Sequence, residues 1–91
     1  MSDPRIPKKL GAKLYTIRIF LDYTQEDMAE AVGKKGKSRR SRVHEWEKGK
    51  RAPDLICLLA YARLVNISTD ELIDDTIRLN LQKRQTGESE T

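Results

Sequence analysis

One cysteine, Cys57, is all the chain has, so no internal disulfide can form and packing alone must hold the fold. Cys57 sits in the apolar run LICLLAYA, the place of a small core residue, and such usage fits a reducing, cytoplasmic compartment. Aromatic residues are 5% of the 91 and hydrophobic residues 37%, which limits the core to one small, all-helical domain. No run approaches the roughly 20 apolar residues of a membrane span. The opening MSDPRIPKK lacks an apolar stretch, so no secretory signal is expected. With one histidine and one cysteine there is no metal-ligand spacing, and neither a nucleophile elbow nor a phosphate-cradling glycine loop is present. No enzyme, cofactor or metal is expected. The acidic cluster Asp70, Glu71, Asp74 and Asp75 has a plain explanation in part: Asp70 and Glu71 fall in the first turn of a short helix, where carboxylates suit the helix dipole.

What the chain does have is positive charge, placed unevenly. The formal net charge is +4, but residues 34–51 hold nine basic and two acidic side chains, leaving the remainder at −3. A basic patch on a mildly acidic body points to phosphate. The segment KKGKSRRSRVHEWEKGKRAP is either a solvated run or a helix with its back in a core and its front on something anionic.

Periodicity predicts five short helices. The first spans about Lys8 to Leu21, with Leu10, Leu14, Ile17 and Leu21 on one face and Pro7 near its start. The second opens on Thr24, with Asp27 three residues on as a partial capping box, and ends at Gly33. The third covers Arg39 to Lys48 with Ser38 as N-cap and Gly49 beyond. The fourth runs from Pro53-Asp54 to about Leu64, with Leu55, Leu58, Leu59 and Ala62 facing in. Asn66 and Ile67 make a turn, and Ser68 or Thr69 caps the fifth helix, packed through Leu72 and Ile73. TIRLNL, residues 76–81, alternates weakly like a strand, and the polar stretch from Gln82 reads as disordered. The expected organisation is an arm over residues 1–7, a domain over 8–75 and an extension over 76–91.

At about 100° per residue, Val43 and Trp46 lie close together on the third helix, and Glu47 falls on the same side. Arg39 and Arg40 sit near that side at the helix start. Ser41, Glu45 and Lys48 lie opposite, flanked by Arg42 and His44. This is a helix with an apolar back and a polar front, its N-terminal end carrying Ser38 and two arginines. A major groove admits such a helix, and its N-terminal amides favour phosphate.

LGAKLYTIRIFLDYTQEDMAEAVG followed by SRVHEWEKGKRAPDLICLLAYARLVNISTDELI resembles the Cro/CI-type, or xenobiotic-response-element, helix-turn-helix family, over Leu10 to Ile73. TQEDMA, EKG with its following proline, and NISTDEL carry the likeness together. The resemblance implies a five-helix, lambda-repressor-like fold, sequence-specific binding of double-stranded DNA, and transcriptional regulation, as a repressor. The same fold serves as the antitoxin of toxin–antitoxin pairs, so a protein-interaction module is the alternative. Gln25 would meet a phosphate and brace the third helix. Arg40, Ser41 and Glu45 match base-reading positions, and Arg39, Arg42 and His44 their neighbours at phosphates or flanking bases. Lys48, Lys50 and Arg51 lie where the following loop approaches the backbone. Arg18 and Glu47 match a structural ion pair.

By its chemistry, Arg40 can hold guanine O6 and N7 in a bidentate contact, whereas Ser41 discriminates little. Glu45 can accept from cytosine N4 or pair with Arg42 on the helix surface. Trp46, beside Val43, belongs in the core. The residues KKGK, Lys34 to Lys37, look inserted: either a longer mobile loop, or a basic loop that brings Lys35 and Lys37 against phosphate. A single recognition helix reads only a half-site, so a homodimer is expected. Its candidate interface is the alternating segment 76–81, which can instead cover the first helix of its own chain, where Ile19 and Phe20 are unusually apolar.

Overall fold

The structure, a computed structural model, describes residues 5–81; residues 1–4 of the expected arm and the polar stretch from Gln82 lie outside them. Five helices follow in order: α1 (Leu10–Phe20), α2 (Gln25–Ala31), α3 (Arg39–Glu47), α4 (Leu55–Leu64) and α5 (Thr69–Ile73). Among the described residues there is no strand, and no helix is long and apolar enough to cross a membrane.

Local chemistry sets the helix ends. At α2 the capping box is complete: the Asp27 amide donates to Thr24 Oγ1 at 3.0 Å, and the Thr24 amide to Asp27 Oδ2 at 3.1 Å. Asp54 caps α4, its Oδ1 accepting from the Cys57 amide at 2.9 Å. The helices α1 to α4 all close with the paired backbone bonds of a Schellman turn, through Asp22, Gly33, Gly49 and Asn66 in the left-handed region. Asp22 and Asn66 hold that conformation without being glycine, at φ 61° and 58°; short polar side chains tolerate it best.

The buried stripes of the helices converge on one core: Leu10, Leu14 and Ile17 of α1, Met28 and Ala29 of α2, Val43 and Trp46 of α3, Cys57, Leu58, Tyr61 and Ala62 of α4, and Leu72 of α5. Trp46 meets Tyr61 edge to face at 6.2 Å between ring centroids. Burial pushes the Cys57 thiol up to about 11, so it stays a protonated packing group. The phase of α4 differs from the expected one. Leu55 is 79% exposed, Ile56 is 73% exposed and Leu59 also reaches the surface, while Cys57 and Tyr61 turn inward. The run is apolar all round, so its composition does not fix a phase; the cap at Asp54 and the Trp46–Tyr61 contact do.

Residues 76–81 are not the strand that their alternation suggested. Leu79 and Leu81 pack against the core of their own chain, and the segment lies along the outer stripe of α1 that carries Lys9, Ala12, Thr16 and Phe20. Lys13 fixes it there. This lysine is only 6% exposed, and its ammonium donates to the carbonyls of Glu71 (2.5 Å), Asp74 (3.0 Å) and Ile77 (2.8 Å). Three bonds use the full donor capacity of an ammonium, and they place a cation at the C-terminal end of α5. Asp75 completes the clasp, its carboxylate accepting from the amides of Lys8 (2.8 Å) and Lys9 (3.0 Å) at the start of α1. Those amides and the Lys13 charge hold the backbone in a turn where a strand would need an extended partner. Replacing Lys13 with Met keeps the stem and removes the donors. It should cost about 1.5–3 kcal/mol in urea unfolding and speed amide exchange over residues 75–81; unchanged stability and exchange would show the clasp to be idle.

Candidate nucleic-acid interface

The helix α3 is docked by its back. Val43 is fully buried and Trp46 is 4% exposed, while Arg40, Ser41, Arg42, His44 and Lys48 are exposed and Glu45 half-buried. Ser38 is the N-cap by position, but its side chain makes no cap bond. The C-terminal end of α3 rests on α1 at Gly11, where an added Cβ would lie 2.6 Å from the Glu47 carbonyl oxygen and 3.0 Å from that of Trp46. Only a residue without a side chain lets the two helices approach so closely. The sequence signal for this was a glycine inside an amphipathic helix, where it costs about 1 kcal/mol against alanine unless packing requires it.

Glu47 gathers three helices. Arg18 of α1 donates to it from Nε (2.6 Å) and Nη2 (3.2 Å), a bidentate pair whose side chains are 13% and 6% exposed. Arg18 Nη1 also donates to the Tyr23 carbonyl at 3.0 Å, and the guanidinium lies 5.3 Å from the centre of the Tyr15 ring. The bond to Glu47 holds the Arg18 pKa above its usual value despite burial. From α2, Gln25 Nε2 donates to Glu47 Oε1 at 3.2 Å and lies 3.4 Å from His44 Nδ1.

Three basic residues of the 34–51 segment are engaged within the protein. Arg39 pairs with Glu26 and with Glu30 (3.1 Å), and donates to the Gly36 carbonyl at 2.8 Å. It therefore ties α3 to α2 from the inner side of the helical wheel, over Glu26 and Glu30, in addition to its expected place beside a phosphate or flanking base. Arg51 pairs with Glu45 at 3.2 Å, so the partner of Glu45 is in the following loop and not Arg42. Lys34 pairs with Asp54 at 3.0 Å, anchoring the inserted turn to the cap of α4. The Cys57 amide and then Lys34 hold the Asp54 carboxyl down to about 2. The two cations left in that turn, Lys35 and Lys37, are exposed on either side of Gly36, whose φ is 96°. With Arg40, Arg42, Lys48 and Lys50 they make a set of exposed cations with no ion pair among the described residues. Glu26, Glu30 and Asp54, which decide which cations remain available, escaped the sequence reading because their partners lie 9 to 20 residues away.

Truncating Glu47 leaves a nearly buried guanidinium without its carboxylate. Glu47→Ala should cost about 3 kcal/mol, the low end for a broken buried pair because water reaches the edge of Arg18. Urea unfolding measures this, and a loss near zero would show that water replaces the carboxylate.

A helix-turn-helix family model matches residues 14–72, which spans α2, α3 and α4 together with most of α1 and α5. No curated protein matches the chain by sequence. Among solved structures, the chain is similar to the restriction-modification controller protein C.AhdI from Aeromonas hydrophila. Their identity is 31%, the match covers 70% of this chain and 91% of that one, and the TM-score is 0.57. With its recognition helix docked by Val43 and Trp46 and braced through Glu47, the chain belongs to the Cro/CI-type helix-turn-helix family of DNA-binding transcription regulators.

Proposed function

We propose that the protein binds a specific duplex-DNA sequence by laying α3 in the major groove, and that it represses transcription from the site it covers. The observation that carries this reading is the separation on α3 itself: an apolar back fixed in the core, and a front of exposed hydrogen-bonding groups ringed by unpaired cations. Arg40 and Ser41 face base edges, with Glu45 shared between cytosine N4 and Arg51. Arg42, Lys35, Lys37, Lys48 and Lys50 meet phosphates, and Gln25 braces the helix from α2. Similarity to a restriction-modification controller supports regulation of transcription as the use of that binding.

Selection from random duplexes should enrich a defined sequence. Arg40→Ala should then lose about 1–3 kcal/mol on that sequence and relax the preference at one base pair, read by fluorescence anisotropy at fixed salt. Lys35→Ala should weaken all sequences alike and lower the salt slope by about one. Equal affinity of Arg40→Ala for the selected duplex would reject the assignment, and a promoter reporter that rises on binding would reject repression.

The reading includes a homodimer, since one α3 covers a half-site. The segment 76–81 packs Leu79 and Leu81 against its own core and leaves Ile19 and Phe20 of α1 exposed. The apolar face of α4, Leu55, Ile56 and Leu59, is exposed as well, and it is the surface for a second copy. Light scattering at micromolar concentration should show a dimer that Ile56→Glu reduces to a monomer. A monomeric wild type would hand that face to another protein, the antitoxin-like alternative, which co-purification would then identify.

A further inference from the structure

His44 is the chain's one histidine, and its hydrogen bonds fix where its proton sits. The Glu47 carboxylate only accepts, so the end of the Gln25 amide that meets it at 3.2 Å is the NH2 group. The same nitrogen lies 3.4 Å from His44 Nδ1, within reach of its second hydrogen. Nδ1 is therefore the acceptor, and the ring proton is on Nε2, away from Gln25. The chain of bonds runs from the α1 arginine, through the α3 carboxylate and the α2 amide, to an exposed N–H on the outer side of the recognition helix.

We propose that His44 meets DNA as a neutral hydrogen-bond donor, its Nε2–H aimed by Gln25 as a positioning residue, and that protonating the ring weakens sequence discrimination. This rests on the DNA-binding reading above and adds to it a charge state and a pH response. An imidazolium would bring an Nδ1–H against the Gln25 NH2. Turning the amide would give that N–H an acceptor but bring Oε1 against the Glu47 carboxylate. Either way one bond of the relay is lost and the ring is no longer held. The groove around His44 is lined by Ala12, Tyr15 and Arg18 of α1, Gln25 of α2, and Glu47 and Lys48 at the end of α3. Its one carboxylate is already matched by Arg18, so a ring cation would find no free anion there. The acceptor on DNA is a base edge, a purine N7 or O6.

The experiment measures affinity for a selected duplex and for a scrambled one, from about pH 8 to about pH 5. Added positive charge alone strengthens both equally, so the ratio isolates discrimination. In the wild type the ratio should fall roughly two- to tenfold on acidification, the worth of one hydrogen bond. In His44→Gln, whose amide does not titrate, the ratio should stay flat across the range, whatever its absolute value. Gln25→Ala should reproduce the acid value at pH 8. His44→Ala should relax one base pair. If it instead weakens all sequences alike, the acceptor is a phosphate and the proposal is overturned, because losing that bond leaves the ratio unchanged. A wild-type ratio that does not change with pH overturns the proposal. A salt slope lowered by about one in His44→Ala at pH 8 also overturns it, since that is the signature of a cation. Enrichment of no duplex at all overturns the parent reading along with this one.

Discussion

The Glu47 carboxylate is the point on which the interface depends. It accepts from Arg18 of α1 and Gln25 of α2 while standing on α3, so one side chain sets the relative position of three helices. A buried ion pair is a weak source of net stability, because desolvating both charges offsets their attraction. Its value here is directional. A bidentate guanidinium–carboxylate contact tolerates little rotation, and Gly11 lets α1 come close enough for the pair to form. Hydrophobic burial of Val43 and Trp46 holds α3 against the body but does not by itself fix its rotation or its slide. The polar contacts at Glu47 add that constraint, and base reading requires it.

A second polar clasp does similar work at the other end of α1. Lys13 and Asp75 exchange partners between the start of α1 and the segment after α5, a cation at carbonyls and a carboxylate at amides. Each charge meets the backbone end of opposite polarity. Together the two clasps fix α1 to α5 on one side and to α3 on the other, so α1 serves as the beam that holds the recognition helix in register with the rest of the body.

The sequence carried the helix order, the docked back of α3 and the resemblance, because amphipathic spacing and cap residues are local signals. Thr24 with Asp27, and Gly33 and Gly49 past their helices, were legible for that reason. The phase of α4 was not, since LICLLAYA is apolar on every side and only a distant ring, Trp46, selects Tyr61 as the inward residue. The course of residues 76–81 was not legible either. An alternating pattern says which side chains can be buried, but not whether a strand partner exists; Lys13, some 60 residues earlier, decides the path. The basic segment has a local answer for its helix, the spacing of Val43 and Trp46, and a non-local one for its charges.

That non-local answer changes the electrostatics. Nine basic residues between 34 and 51 suggest nine phosphate contacts, yet Lys34, Arg39 and Arg51 are held by carboxylates of the protein itself. Six remain unpaired: Lys35, Lys37, Arg40, Arg42, Lys48 and Lys50. They lie on the inserted turn, on α3 and in the loop after it, so they border the exposed front of α3 at both ends. Counterion release scales with phosphates neutralised, so with Arg40 at a base edge the other five cations would give one chain a salt slope of about −4.5, against about −8 for nine. The same internal pairs hold the first residue of the segment at the cap of α4 and the start of α3 at α2. A shorter list of cations held in place serves sequence recognition better than a longer mobile one, because a cation that can follow any backbone adds affinity to every sequence alike.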